Sequence, residues 1–288
     1  MRAFRLAYDG TDYYGFQRQP DVPTVEDAVF DALRSLSVLE SDAPKPDGYA
    51  AAGRTDAGVS ALAQTIAFET PDWLTPRALN AELPADVRAW AVADAPAAFH
   101  ATHHATRREY TYHLYAPPSD KNATDDDRRP AGDRTDERAV DDDRFRAACE
   151  ALSGAHDFHN LTPDDRNTDR SPTIEATRDG AYLVVTVTAG GFARELVRRL
   201  VSLTGDVGAG DASLETIDRV LASDPLPGHE GIAPAPPEPL VLTDVCYPDL
   251  SFERDSAAAE SARSIFRARS IERRTGARVA DEIADGVR

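Results

Sequence analysis

The chain has 288 residues, 41% of them hydrophobic, enough to bury one large core or two ordinary ones, and no apolar run approaches the roughly 20 residues of a membrane-spanning helix. Its two cysteines, Cys149 and Cys246, exclude a disulfide framework and a four-cysteine zinc site. Fifty acidic residues against 32 basic ones leave a formal charge of −18, ordinarily poor material for holding a polyanion.

The make-up of that charge qualifies the last point. Lysine occurs only at Lys45 and Lys121, so nearly every cation is arginine, and aspartate and alanine are abundant. This reads as a surface adapted to concentrated salt, where carboxylates keep the protein hydrated while ions screen their repulsion over a few ångströms. Net charge does not exclude RNA, because the arginines lining a cleft matter more than the total. The N-terminus alternates as a strand and lacks the long apolar stretch of a signal peptide, so a cytosolic protein is expected.

Arg2–Tyr8 alternates with Phe4, Leu6 and Tyr8 on one face, a half-buried strand broken by Asp9-Gly10. Thr24 is placed to cap a helix whose apolar stripe is Val25, Val29, Ala32, Leu33 and Leu36. Strands are predicted over Tyr49–Ala52 and Gln64–Phe68, a short helix over Thr75–Leu83, and further strands over Val87–Ala93 and Arg108–Ala116. The last of these turns Tyr110, Tyr112 and Leu114 one way and Thr111, His113 and Tyr115 the other. Asp120–Arg144 is rich in mixed charge and nearly free of apolar residues, as a solvated insertion would be.

Phe145, Cys149 and Leu152 then mark a helix, Leu183, Val185 and Val187 a strand, and Leu196, Leu200 and Leu203 a helix running into Gly205. Leu214, Ile217 and Leu221 mark one more helix. Pro225–Pro239 is a proline-rich connection before a final strand at Leu240–Tyr247. Strands and helices intermingle, and tight strand–turn–strand links argue against a purely parallel sheet. The expected class is α+β: two related α/β subdomains with mixed, mainly antiparallel sheets merged around a central RNA-binding cleft. The expected boundaries are 1–105, 106–250 with an acidic insertion at about 118–143, and an appended tail at 251–288. The tail holds eight arginines and seven acids, so it is close to neutral, and it reads equally as a helix or a frayed end.

Chemistry concentrates at Gly53-Arg54-Thr55-Asp56-Ala57-Gly58, where two glycines frame an arginine and a carboxylate in a loop between strands. Glycine permits turns and close approach to a ligand. An adjacent arginine orients a carboxylate and lowers its pKa, and a fixed ionised carboxylate is a reasonable nucleophile. Taken alone, the segment reads equally as a structural turn with a local ion pair.

The wider pattern is more specific. Leu6-Ala7-Tyr8-Asp9-Gly10-Thr11-Asp12-Tyr13-Tyr14-Gly15-Phe16-Gln17-Arg18-Gln19 precedes the loop. Phe99-His100-Ala101, Thr106-Arg107-Arg108-Glu109-Tyr110-Thr111-Tyr112, Arg170-Ser171-Pro172-Thr173-Ile174 and Phe192-Ala193-Arg194-Glu195-Leu196-Val197-Arg198-Arg199 follow it. In this order, over roughly residues 2–250, the chain resembles the TruA family of tRNA pseudouridine synthases.

The resemblance implies an isomerase that converts uridine to pseudouridine in the anticodon stem-loop, at tRNA positions 38, 39 and 40, without metal or cofactor and as a homodimer whose two subunits contact one tRNA. It implies that Asp56 is the catalytic carboxylate, that Arg54 helps flip the base and takes its place in the stem, that Tyr110 stacks on the target base, and that Arg198 pairs with Asp56 and keeps it ionised. Gln17, Arg18, Arg107 and Arg108 are further candidates for contact with the RNA. The chain departs from the family pattern at Ser60, where bacterial members carry histidine, and at Thr111, where an arginine often stands. A uracil in a stem hides its C5 and glycosidic bond, so it must be flipped out at a cost of a few kcal/mol, of which stacking on an aromatic platform recovers roughly 1–3. The carboxylate then attacks either C1′ of the ribose or C6 of the ring. A silent tRNA-binding chaperone of the same fold is the alternative, against which Asp56 and its arginines argue.

Other residues read more blandly. His100, His103 and His104 lack a fourth zinc-type ligand and fit a loop or an RNA contact better than a metal site. Tyr112 reads as core. Arg194 and Arg198 share a helix face one turn apart, next to the Gly190-Gly191 junction that would aim that face at a cleft. Asp125–Asp127 and Asp141–Asp143 read as solvated surface.

Overall fold

A computed structural model of the chain describes residues 1–119 and 138–287. Most of the acidic insertion, including Asp125–Asp127, lies outside the described residues.

In chain order the elements are β1 (Arg2–Tyr8), α1 (Val25–Ser35), β2 (Ala50–Ala51), β3 (Ser60–Phe68), α2 (Pro76–Leu79), β4 (Val87–Asp94) and β5 (Arg107–Tyr115). There follow α3 (Asp142–Leu152), β6 (His156–Asp157), β7 (Asp169–Arg170), β8 (Thr173–Asp179), β9 (Tyr182–Ala189), α4 (Leu196–Ala209), α5 (Leu214–Val220), β10 (Leu240–Cys246), β11 (Glu253–Arg254) and α6 (Ser256–Gly286). The class is α+β with mainly antiparallel strands, as expected. The chain forms two compact units. One comprises Met1–Thr55, Ala61–His104 and Pro248–Arg288, the other Asp56–Ser60 and Ala105–Tyr247.

In the first unit β1 is central, antiparallel to β3 on one side and to β4 on the other, with β11 beyond β4. Phe4, Leu6 and Tyr8 are buried as expected, but Ala3 and Ala7 on the opposite face are buried as well, so β1 is covered on both sides rather than half-buried; Phe4 stacks on Phe68 with ring centroids 5.4 Å apart. Thr24 caps α1 by accepting from the Asp27 amide, and Val25, Val29 and Leu33 are fully buried. The C-terminal residues form a single 31-residue helix, α6, in which only Ala258, Ala259 and Ala262 are buried. Further along, Arg269 and Arg273 reach back to the buried Asp9, both bonding its Oδ2 at 2.7 and 2.6 Å.

In the second unit β5 lies between β10 and β9, with β8 outside β9, all antiparallel. Alternation along β5 buries Arg108, Tyr110 and Tyr112 on one face. β8 was not anticipated: only Ile174 is buried in it, so this edge strand has no apolar alternation to read. β3 begins four residues before the predicted Gln64, because its early inward positions are Ala61 and Ala63, weak hydrophobic signals. α4 does not stop at Gly205 but runs to Ala209, closed by Gly210 at φ +83°. Gly208, inside the helix, serves packing: a Cβ there would stand 2.6 Å from Val140 and 3.2 Å from Phe145.

Candidate active site

The approach to the aspartate loop is held by hydrogen bonds within the first unit. The buried Gln64 side chain donates its Nε2 to the Gly53 carbonyl at 2.8 Å. Thr55 is buried, its hydroxyl 2.7 Å from the Tyr8 hydroxyl and its carbonyl accepting from the Phe16 amide at 3.0 Å. The two sequence motifs are thereby joined: the stretch after β1 holds the residue before Asp56.

The loop's other half belongs to the second unit. The Val59 amide donates to the Asp56 carbonyl, closing a four-residue turn whose third residue, Gly58, has φ +81°. An L side chain is strained there, which explains glycine at this position. A Cβ would also meet the Pro237 ring at 2.9 Å.

Asp56 faces the first turn of α4. Arg198 Nη1 lies 3.5 Å from its Oδ2, with the two side chains 13% and 30% exposed. Burial pushes the Asp56 carboxyl above the usual carboxylate range; Arg198 and Arg194 pull it down, and the Glu195 carboxylate pushes it up again. This corrects the expectation of a lowered pKa. Arginine acts in the expected direction, but at 3.5 Å one guanidinium does not offset desolvation plus a neighbouring acid. Glu195 is brought close by backbone geometry, since it caps α4 in the left-handed region at φ +61° and is held by Arg199 Nη2 at 2.6 Å.

Arg198 is itself fixed. Its Nε donates to the Ala235 carbonyl at 2.6 Å, and the Ala235 amide donates back to the Arg198 carbonyl at 3.1 Å. Arg199 donates in the same way to the Ile232 carbonyl. Tyr110 is buried, its ring edge-on to Phe192 with centroids 5.3 Å apart and planes at 86°. Burial drives its hydroxyl up to about 12, Arg108 pulling down and the charge of Asp56 pushing up, so the tyrosine remains protonated.

The structure therefore brings Asp56, Arg198 and Tyr110 together within one unit. Arg107 and Arg108 belong to that unit as well. Arg108 is buried and donates to the Gly190 carbonyl at 2.6 Å, and Arg107 pairs with Asp244 at 3.1 Å. Gln17, Arg18 and Arg54 lie in the first unit, all exposed. Arg18 is tied to Asp27 at 2.7 Å and to the Pro44 carbonyl. Tyr112 is core. The His100 and His103 rings lie 4.2 Å apart, tilted by 34°, and no metal-holding group of three ligands occurs among the described residues. Glu195, Ala235 and Pro237 were not anticipated. A left-handed glutamate carries no sequence signal, and the prolines read only as a connection.

Residues 148–248 match the tRNA pseudouridine synthase family PseudoU_synth_1. Over whole chains the sequence is 56% identical to tRNA pseudouridine synthase A of Haloarcula marismortui, covering 100% of both. It is 56% identical to that of Natronomonas pharaonis over 99% of both, and 34% identical to that of Methanosarcina acetivorans over 98% of this chain and 97% of that one. Among solved structures, an archaeal box H/ACA Nop10–Cbf5 complex aligns with 69% of this chain and 45% of that one, at 16% identity and a TM-score of 0.31.

Proposed function

The chain belongs to the TruA family of tRNA pseudouridine synthases, sharing 56% identity over whole chains with members from halophilic archaea, and from that premise we propose that it converts uridine to pseudouridine in the anticodon stem-loop, at tRNA positions 38, 39 and 40, with Asp56 as covalent catalyst. The observation that carries this reading is the Asp56 carboxylate, partly buried, paired with Arg198 and within electrostatic reach of the Tyr110 ring.

The chemistry asks little beyond this. The N1–C1′ bond breaks, the uracil turns, C5 bonds to C1′, the C5 proton leaves and N1 gains one. No net oxidation occurs, and ionised Asp56 adds to C1′ or C6 and is released when the new bond forms. Arg198 supports the ionised form, Tyr110 supplies the stacking surface, and Arg54, exposed on the loop, fills the space the base vacates. Gln17, Arg18 and Arg107 are exposed and are the candidates for contact with the RNA, whereas Arg108, buried on the Gly190 carbonyl, is corrected from an RNA contact to a support of β5. The enzyme works as a cytosolic homodimer; no helix among the described residues is long and apolar enough to cross a membrane. In concentrated salt the phosphate contribution to binding weakens, so stacking and shape carry more of the recognition.

The test is incubation of the purified protein in high salt with unmodified tRNA transcripts, mapping pseudouridine by position, with Asp56→Ala alongside. Product at positions 38–40 from the wild type alone is expected. Product from Asp56→Ala, or at other positions only, contradicts the reading.

A further inference from the structure

Between α5 and β10 the chain runs through Pro234-Ala235-Pro236-Pro237-Glu238-Pro239. Proline locks its own φ and confines the residue before it to extended ψ, so Ala235, which precedes Pro236, has few directions open to its carbonyl. It is anchored beyond Ala235, where the His113 amide donates to the Pro239 carbonyl at 3.1 Å and the Leu240 amide to the Pro237 carbonyl at 3.0 Å. On the upstream side the Leu226 amide donates to Asn160 at 2.9 Å. Two adjacent arginines staple the segment to the first turn of α4, Arg198 on Ala235 and Arg199 on Ile232. Pro237 packs on Gly58, two residues after Asp56.

From these contacts we infer that residues 234–239 form a rigid strap that aligns the catalytic pair, the Ala235 carbonyl aiming the Arg198 guanidinium while Pro237 seats the turn carrying Asp56. The distances support this division of labour. The Arg198–Ala235 bond, at 2.6 Å, is short and directional, whereas the Arg198–Asp56 contact, at 3.5 Å, is at the outer limit of a hydrogen bond. An arginine side chain is long and flexible, so the weaker contact depends on the stronger one for its direction. Ala235 itself is buried, which shields its carbonyl from competing water. Ala235 and Pro237 are thus positioning residues. The inference rests on Asp56 being the catalytic carboxylate only for its consequence in rate; the alignment itself is readable without RNA.

The experiment uses the full chain with Pro236→Gly and Pro237→Gly combined, and separately Pro236→Gly alone, which frees the backbone next to the Ala235 carbonyl. Each is made with Asp56 intact and with Asp56→Asn, and the melting-temperature difference within each pair is followed from pH 4 to 8 at fixed high salt. In an intact strap Arg198 opposes the penalty of ionising Asp56. With the strap loosened, that penalty is expected to grow and to keep building to higher pH. Single-turnover conversion of saturating tRNA is expected to fall roughly 10-fold near the acid limb of the pH–rate profile, with tRNA affinity changed less than about 2-fold. An Asp56-dependent melting profile identical to wild type overturns the strap, as does a general loss of stability with an unmoved profile. Absence of pseudouridine from the wild-type reaction would count against the functional reading instead, and the melting profiles would still decide the strap.

Discussion

Replacing Arg198 with alanine tests the electrostatics of the site most directly. At 3.5 Å two unit charges attract by roughly 5 kcal/mol at an effective dielectric constant near 20. Asp56 is 30% exposed, so solvent screens part of this, leaving an expected loss of about 2–3 kcal/mol in the ionised carboxylate. The sign is unambiguous: without Arg198, burial and Glu195 act unopposed except by Arg194, and the carboxyl moves further up. On the acid limb of the profile, where rate follows the ionised fraction, the variant should run about 30- to 150-fold slower than wild type at the same pH, with the deficit narrowing as pH rises. Arg198→Lys keeps a charge but not the planar bond to Ala235, so an intermediate deficit of roughly 10-fold is expected. The assay is single-turnover release of tritium from the uracil C5 of labelled tRNA, a proton the reaction must lose. A profile for Arg198→Ala that superimposes on wild type would refute the pairing as the source of the ionised state.

Further outcomes follow from the same geometry. Asp56 has a raised folded pKa, so its ionisation destabilises the fold, with stability fully present below the ordinary aspartate value near 3.9 and lost as pH rises to the folded one. Asp56→Asn should therefore melt higher than wild type at neutral pH, with the gain vanishing in acid; equal melting at pH 8 contradicts this. Gly58→Ala should lose about 1–3 kcal/mol in urea unfolding, because φ +81° and the 2.9 Å approach of Pro237 both oppose a Cβ. At Asp9 burial pushes the carboxyl up, but Thr11, Arg269 and Arg273 together bring it below the usual range. Asp9→Asn should lose about 2–4 kcal/mol at neutral pH, a gap that closes only as pH falls through that depressed value, as urea titrations at several pH values would reveal. Tyr110→Phe should keep tRNA affinity within a few-fold, whereas Tyr110→Ala should weaken it by roughly 5- to 150-fold through lost stacking of about 1–3 kcal/mol, measured by filter binding.

Much of this was legible in the residues. Phe4, Leu6 and Tyr8, the Thr24 cap with its Val25–Val29–Leu33 stripe, and the Tyr110–Tyr112 alternation each write their element locally, in patterns that burial then follows. Elements whose stability comes from their neighbours were not legible. Thr173–Asp179 has one buried residue, Ile174, and is a strand because β9 pairs with it, and α4 continues past Gly205 to close only at the left-handed Gly210.

The same division runs through the site. Order and spacing of several motifs over roughly residues 2–250 pointed to the family and its reaction and proposed Asp56 as the carboxylate, because each motif is a local pattern that a linear sequence displays. Tertiary structure alone decided the charge state of that carboxylate, since a pKa is a balance among burial, Arg198, Arg194 and Glu195, residues some 140 positions away from Asp56 that a linear pattern does not bring near it. It also decided that a proline-rich connection bears on Arg198, because a backbone carbonyl acquires a role only when folding places a guanidinium within 2.6 Å of it.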